Sequence, residues 1–132
     1  MESAKIVIVD DDQDLRDSVQ VILESEGYRV VTAGERAQGF DLIRAEKPDV
    51  AILDVMMEHW ADGFEMAREL REDPTLGSLR ILILTGVTGK TGIEFKTAAG
   101  DPVWLPVDGY LEKPVEPEVL LGEIKRLLGE HT

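Results

Sequence analysis

The chain contains no cysteine. That excludes a disulfide framework and any thiolate metal site, and it fits a reducing cytoplasm. No apolar run is long enough to span a bilayer, and Met1-Glu2-Ser3-Ala4-Lys5 leads directly into a strand pattern with no signal peptide. The expectation is a cytoplasmic protein without a membrane partner. Basic residues are scarce: 14 Lys and Arg against 27 Asp and Glu, a formal net charge of -13. A nucleic-acid backbone demands a basic face, so direct nucleic-acid binding is not expected. There is no internal repeat, no low-complexity tract and no linker, so the 132 residues read as one domain, 1–132.

What is present is an alternation of short apolar runs and helical periodicities. Ile6 to Val9, Tyr28 to Ala33, Val50 to Leu53, Ile81 to Leu84 and Tyr110 to Glu112 read as strands. Runs apolar at nearly every position imply strands buried on both faces, as in a parallel sheet. Between them, Leu15, Val19, Ile22 and Leu23 mark a first helix closed by Gly27. Ala37, Phe40 and Ile43 mark a second, ending near Lys47-Pro48. Phe64, Ala67 and Leu70 mark a third, stopping by Asp73-Pro74. The last begins at Glu116-Pro117, carries Val119, Leu120, Ile124, Leu127 and Leu128, and ends at Gly129. The segment from Gly86 to Val107 is studded with glycine and ends among prolines. Only Ile93 to Ala99 has room for a helix there, so a short or distorted fourth helix is expected. The order implies a doubly wound α/β fold with helices on both faces of the sheet.

Chemistry-bearing side chains follow the strand ends. Asp10-Asp11-Asp12 follows the first strand, Asp54 ends the third, Thr85 ends the fourth, and Lys113-Pro114 follows the fifth. In open α/β sheets ligands bind outside the carboxyl ends of the strands. Several carboxylates held together need a compensating cation. This predicts a divalent site beside a reactive carboxylate. Asp54 is the candidate nucleophile, able to form an acyl phosphate. Asp10 and Asp11 with Asp54 supply hard oxygen ligands suited to Mg²⁺. Lys113 offers an ammonium and Thr85 a hydroxyl to phosphoryl oxygens. Asp12 is expected instead to cap the first helix.

Taken together, Ile6 to Asp11, Ile52-Leu53-Asp54, Asp62-Gly63-Phe64-Glu65, Leu84-Thr85-Gly86 and Tyr110 to Pro114 make the chain resemble receiver domains of two-component response regulators over essentially its whole length. The resemblance implies a flavodoxin-like five-stranded sheet of order 2-1-3-4-5. It implies that Asp54 accepts phosphate from a phosphohistidine on a sensor histidine kinase or phosphotransfer protein. It also implies Mg²⁺ ligation by Asp11, Asp54 and the Met56 backbone carbonyl, with Asp10 acting partly through water. Thr85 and Lys113 would hold the phosphoryl oxygens, Tyr110 would be an aromatic switch, and the Lys113-Pro114 bond would be cis. On this reading the chain is no enzyme beyond its own phosphorylation and dephosphorylation. Its output goes to a downstream protein or an attached output domain.

Two departures from the family pattern stand out. Glu58-His59-Trp60-Ala61 lengthens the loop after Asp54 by one residue, and the stretch from Thr85 to Lys113 is longer than usual. The second falls on the usual signalling surface and leaves the phosphate chemistry intact. Rival readings are weaker. Gly89-Lys90-Thr91 imitates a P-loop, but the required upstream glycine position holds Leu84. Asp10-x-Asp12-x-Asp14 imitates a calcium loop, but its glycine position holds Leu15 and its closing glutamate position Val21. An aspartyl-phosphate phosphatase would have a second Asp where Met56 stands. The remaining alternative is a receiver-like binding module with no phosphorylation cycle.

Overall fold

A computed structural model of the chain describes residues 4–54, 62–85, 108–112 and 115–129, with the side chains of 62–66 and of Thr85 outside the description. Five strands carry the fold: β1 (Lys5–Val9), β2 (Arg29–Ala33), β3 (Val50–Asp54), β4 (Arg80–Thr85) and β5 (Gly109–Glu112). Four helices are found among the described residues: α1 (Gln13–Ser25), α2 (Arg36–Glu46), α3 (Asp62–Glu72) and α4 (Pro117–Leu128). A single 3-10 turn at Pro74–Leu76 separates α3 from β4. The sheet is parallel throughout, in the order β2-β1-β3-β4-β5. The short helix expected over Ile93 to Ala99, and the whole 86–107 segment, lie outside the described residues.

Strand alternation divides the core between the two faces of the sheet. Val7 and Val9 of β1, Ala51 and Leu53 of β3, and Ile81 and Ile83 of β4 pack with Phe40 and Ile43 of α2 and with Ala67 and Leu70 of α3. Ile6 and Ile8, Val50 and Ile52, and Leu82 and Leu84 pack on the other side with Val19 and Leu23 of α1 and Leu120, Ile124 and Leu127 of α4. Burying each such Val, Leu, Ile or Phe side chain contributes roughly 1.5–3 kcal/mol. Every residue of β3 is buried, as its central place requires.

The helix ends follow their local chemistry. Asp12 is the N-cap of α1, its Oδ1 accepting from Leu15 N at 3.1 Å. Gly27 turns the chain after α1 with φ +91°, and Gly129 closes α4 with φ +73°, both left-handed values that a side chain disfavours. Pro117 sits in the first turn of α4. Val119 lies on the exposed outer face of α4. Leu120, Ile124 and Leu127, at helical spacing, already fill the buried face.

The β4–β5 edge is clamped at its N-terminal end. Asp108, just before β5, accepts from Ile81 N at 2.8 Å and from Arg71 of α3, while its own N–H reaches Ile81 O at 2.9 Å. Arg71 also donates to Leu79 O at 2.6 Å, and Arg126 of α4 donates to Asp108 O at 2.9 Å. The short strand β5 thus enters the sheet in a fixed register, with Tyr110 opposite Ile83 and Glu112 opposite Thr85.

Candidate functional site

The register of the parallel strands carries their polar successors to one edge. Val9 lies opposite Leu53, so Asp10 and Asp54 leave neighbouring strands side by side. Asp54 lies opposite Leu84, and the next residue of β4 is Thr85. Thr85 in turn lies opposite Glu112, after which comes Lys113.

Asp10, Asp11 and Asp54 each offer a carboxylate oxygen, and these oxygens lie within 4.8 Å of one another. Asp10 and Asp54 are buried, at 0% and 2% exposure, while Asp11 is exposed. Two buried acids flanked by an exposed one form a partly open pocket of negative charge. Asp10 is held by its surroundings: its N–H donates to Ala33 O at 3.1 Å, and its Oδ1 accepts from Asp12 N at 2.9 Å. That second bond closes a local turn directing Asp12 away to cap α1. Asp12 is therefore engaged elsewhere while Asp10 and Asp11 face Asp54.

The donor set fits a hard divalent cation. All three groups are carboxylates, which suit Mg²⁺ and, at this spacing, repel one another without a cation between them. Tyr110 is half-buried and packs against the cluster shared by β1, β3, β4, α2 and α3. Met56, Lys113, the Lys113-Pro114 bond and the Thr85 side chain fall outside the description, as does the lengthened loop at Glu58 to Ala61.

One residue of this neighbourhood is not signalled by the sequence pattern. Arg16, in the first turn of α1, donates through Nη1 to the backbone oxygen of Asp10. An arginine six residues after an acid at a strand end is the only available cue, and it is a weak one.

An acidic cluster at the C-terminal edge of a doubly wound parallel sheet of this order defines a receiver-type signalling domain. Comparison with known proteins bears this out. The response regulator receiver domain model matches residues 6–125. Response regulator MprA of Mycobacterium bovis is 36% identical over 126 residues, which cover 96% of this chain and 51% of that protein. The chain spans about half the length of the curated relatives it matches. Among solved structures, the Vibrio cholerae chemotaxis protein CheY4 aligns with a TM-score of 0.79 at 32% identity, covering 96% of this chain and 99% of that one. The BeF3-activated N-terminal receiver domain of Klebsiella pneumoniae RstA aligns with a TM-score of 0.76 at 27% identity, covering 94% and 97%. The chain belongs to the receiver domain family of two-component response regulators. As a member it is a signalling module and not a classical enzyme. No described helix is long and apolar enough to cross a membrane.

Proposed function

We propose that residues 1–132 act as one receiver domain whose phosphoacceptor is Asp54, loaded from a phosphohistidine of a sensor histidine kinase or phosphotransfer protein. The observation that carries this is the placement of buried Asp54 at a central strand end, within 4.8 Å of Asp10 and Asp11. A carboxylate oxygen of Asp54 attacks phosphorus while the phosphorus–nitrogen bond to the donor imidazole breaks, and the imidazole keeps the electron pair. Asp10, Asp11, Asp54 and the Met56 carbonyl would hold Mg²⁺, which when bound neutralises charge on the phosphoryl oxygens. Thr85 donates its hydroxyl, and Lys113 its ammonium, to those same oxygens. Their chain positions at the ends of β4 and β5 support both roles. The only chemistry this receiver domain performs is its own phosphorylation and dephosphorylation.

Phosphate on Asp54 then biases a two-state element that includes Thr85 and Tyr110, and the segment from Gly86 to Val107 between them carries partner specificity. The output is a downstream protein or an attached output domain, and the setting is the cytoplasm. The RstA receiver was solved in a BeF3-activated form, and the same phosphate mimic is a suitable probe of this chain. With Mg²⁺ and beryllium fluoride, fluorine NMR should show a bound resonance that disappears on removing Mg²⁺ or in Asp54→Asn. Hydrogen exchange with the same mimic should change between Gly86 and Tyr110. A bound resonance unchanged in Asp54→Asn would overturn the assignment.

A further inference from the structure

Arg16 does not belong to the acid cluster, yet it is built into the turn that presents it. Its backbone N–H donates to Asp12 O at 3.0 Å, which fixes it in the first turn of α1. Its side chain folds back so that Nη1 donates to the backbone oxygen of Asp10. The guanidinium also lies across Gly34, in the connection between β2 and α2. A Cβ placed on Gly34 would stand 3.0 Å from Arg16 Nη1 and 3.4 Å from its Cζ. Gly34 is not in the left-handed region, so its backbone conformation does not call for glycine. A side chain there would instead oblige the guanidinium to give way by a few tenths of an ångström. The residue before it, Ala33, accepts from Asp10 N at 3.1 Å. Both main-chain groups of Asp10 are thus held: the N–H by the end of β2, and the carbonyl by Arg16 seated against Gly34.

We propose that Arg16, seated in the Gly34 cradle, is a positioning residue for the divalent-cation site: it fixes the Asp10–Asp12 turn so that the Asp10 and Asp11 carboxylates meet Asp54. The inference rests on the reading that those three carboxylates hold Mg²⁺. It goes further by assigning the alignment of the ligands to a side chain that touches neither metal nor phosphate. The contact falls on a carbonyl, and a planar fork reaches that carbonyl while its flat face lies on Gly34. Lysine carries the same charge but cannot reproduce this geometry.

Charge and positioning act in opposite directions here. A cation near three carboxylates opposes binding of a second cation, so deleting it should by itself tighten Mg²⁺ binding. Loss of alignment should weaken it. Groups that orient metal ligands from outside typically matter on the order of tenfold or more in affinity.

The experiment measures Mg²⁺ dissociation constants by calorimetry for the unsubstituted protein, Arg16→Lys, Arg16→Met, Gly34→Ala and the Arg16→Met/Gly34→Ala pair. Thermal unfolding without metal is followed in each. The expected result is a dissociation constant raised on the order of tenfold in both Arg16 variants, charge-retaining and neutral alike. Gly34→Ala should raise it by a smaller factor, because a Cβ displaces only the end of a flexible side chain. That effect should vanish in the Arg16→Met background. Unchanged affinity in both Arg16 variants would overturn the proposal, as would tighter binding in Arg16→Met with Arg16→Lys unaltered. So would a Gly34→Ala effect that persists without Arg16. If either Arg16 variant fails to fold, Gly34→Ala against the other decides by the same criteria. Absence of Mg²⁺ binding in the unsubstituted protein would overturn the metal reading itself, a distinct outcome that takes this proposal with it.

Discussion

Asp11 and Asp12 are adjacent aspartates, both exposed, yet their carboxylates have different neighbours. Replacing each with alanine should therefore produce crossed effects. Asp12 Oδ1 accepts from Leu15 N at 3.1 Å as the N-cap of α1. Removing an Asp cap costs about 1 kcal/mol, which for a domain of this size lowers the melting temperature by roughly 3–5 °C. Because Asp12 is turned away from Asp54, that loss should be equal with and without Mg²⁺. Asp11 has an oxygen within 4.8 Å of oxygens on Asp10 and Asp54. At that distance the repulsion per pair is about 0.9 kcal/mol in the dielectric of water and about 3.5 kcal/mol at an effective value of 20. Asp11 is exposed, so the lower figure applies. Asp11→Ala should then hold or raise stability without metal, by up to about 1–2 kcal/mol. Its gain from Mg²⁺ should shrink instead: a tenfold weaker dissociation constant removes about 1.4 kcal/mol of stabilisation at saturating metal. Thermal unfolding of the two variants with and without Mg²⁺ reads all of this in one assay. Equal loss of the Mg²⁺-induced shift in both variants would refute the division of labour.

Three further outcomes follow from other parts of the molecule. Asp108→Ala leaves the Ile81 N–H and the half-buried Arg71 without their shared acceptor, so urea denaturation should show a loss of about 2–3 kcal/mol, with Asp108→Asn losing less. Ile52, fully buried in the central strand, should cost about 2–5 kcal/mol when cut to alanine, read from the same denaturation curves. The Asp73 carboxyl is held below its ordinary value of 3.8, first by the Thr75 hydroxyl, then by the Thr75 N–H and by Arg44. A depressed folded-state pKa contributes stability above the unfolded value that is lost as pH falls through the folded one. NMR titration should therefore place Asp73 below 3.8, and Thr75→Val should move it upward.

Most of the fold is legible in the sequence because its signals are local. Apolar runs such as Val50 to Leu53 identify strands buried on both faces, and helix ends are written in Asp12, Gly27, Pro117 and Gly129. The acid cluster is legible for a related reason. Once the strands are parallel, Asp10, Asp11 and Asp54 must emerge at one edge, and their oxygens do converge. What is not legible depends on contacts between distant residues. Nothing near Arg71 or Asp108 in the chain announces their pairing across 37 positions. Arg16 looks like an ordinary helix-surface arginine until β2 brings Gly34 under it. Of the adjacent apolar residues Val119 and Leu120 on α4, the first is exposed and the second buried, a choice that periodicity alone does not make. Lys47 ends α2 in the left-handed conformation, which composition would have reserved for glycine or asparagine.

The central claim is that Asp54 takes up phosphate with help from its neighbouring acids. The most direct measurement is intact mass after incubation with a small phosphodonor and Mg²⁺, comparing the unsubstituted protein with Asp54→Asn. The expected result is a gain of a single phosphoryl group that depends on Mg²⁺ and is lost in Asp54→Asn. Uptake by Asp54→Asn at the same rate would contradict it. Failure of the unsubstituted protein to take up phosphate at all would contradict it equally, and would favour a receiver-like module that works by protein contact alone.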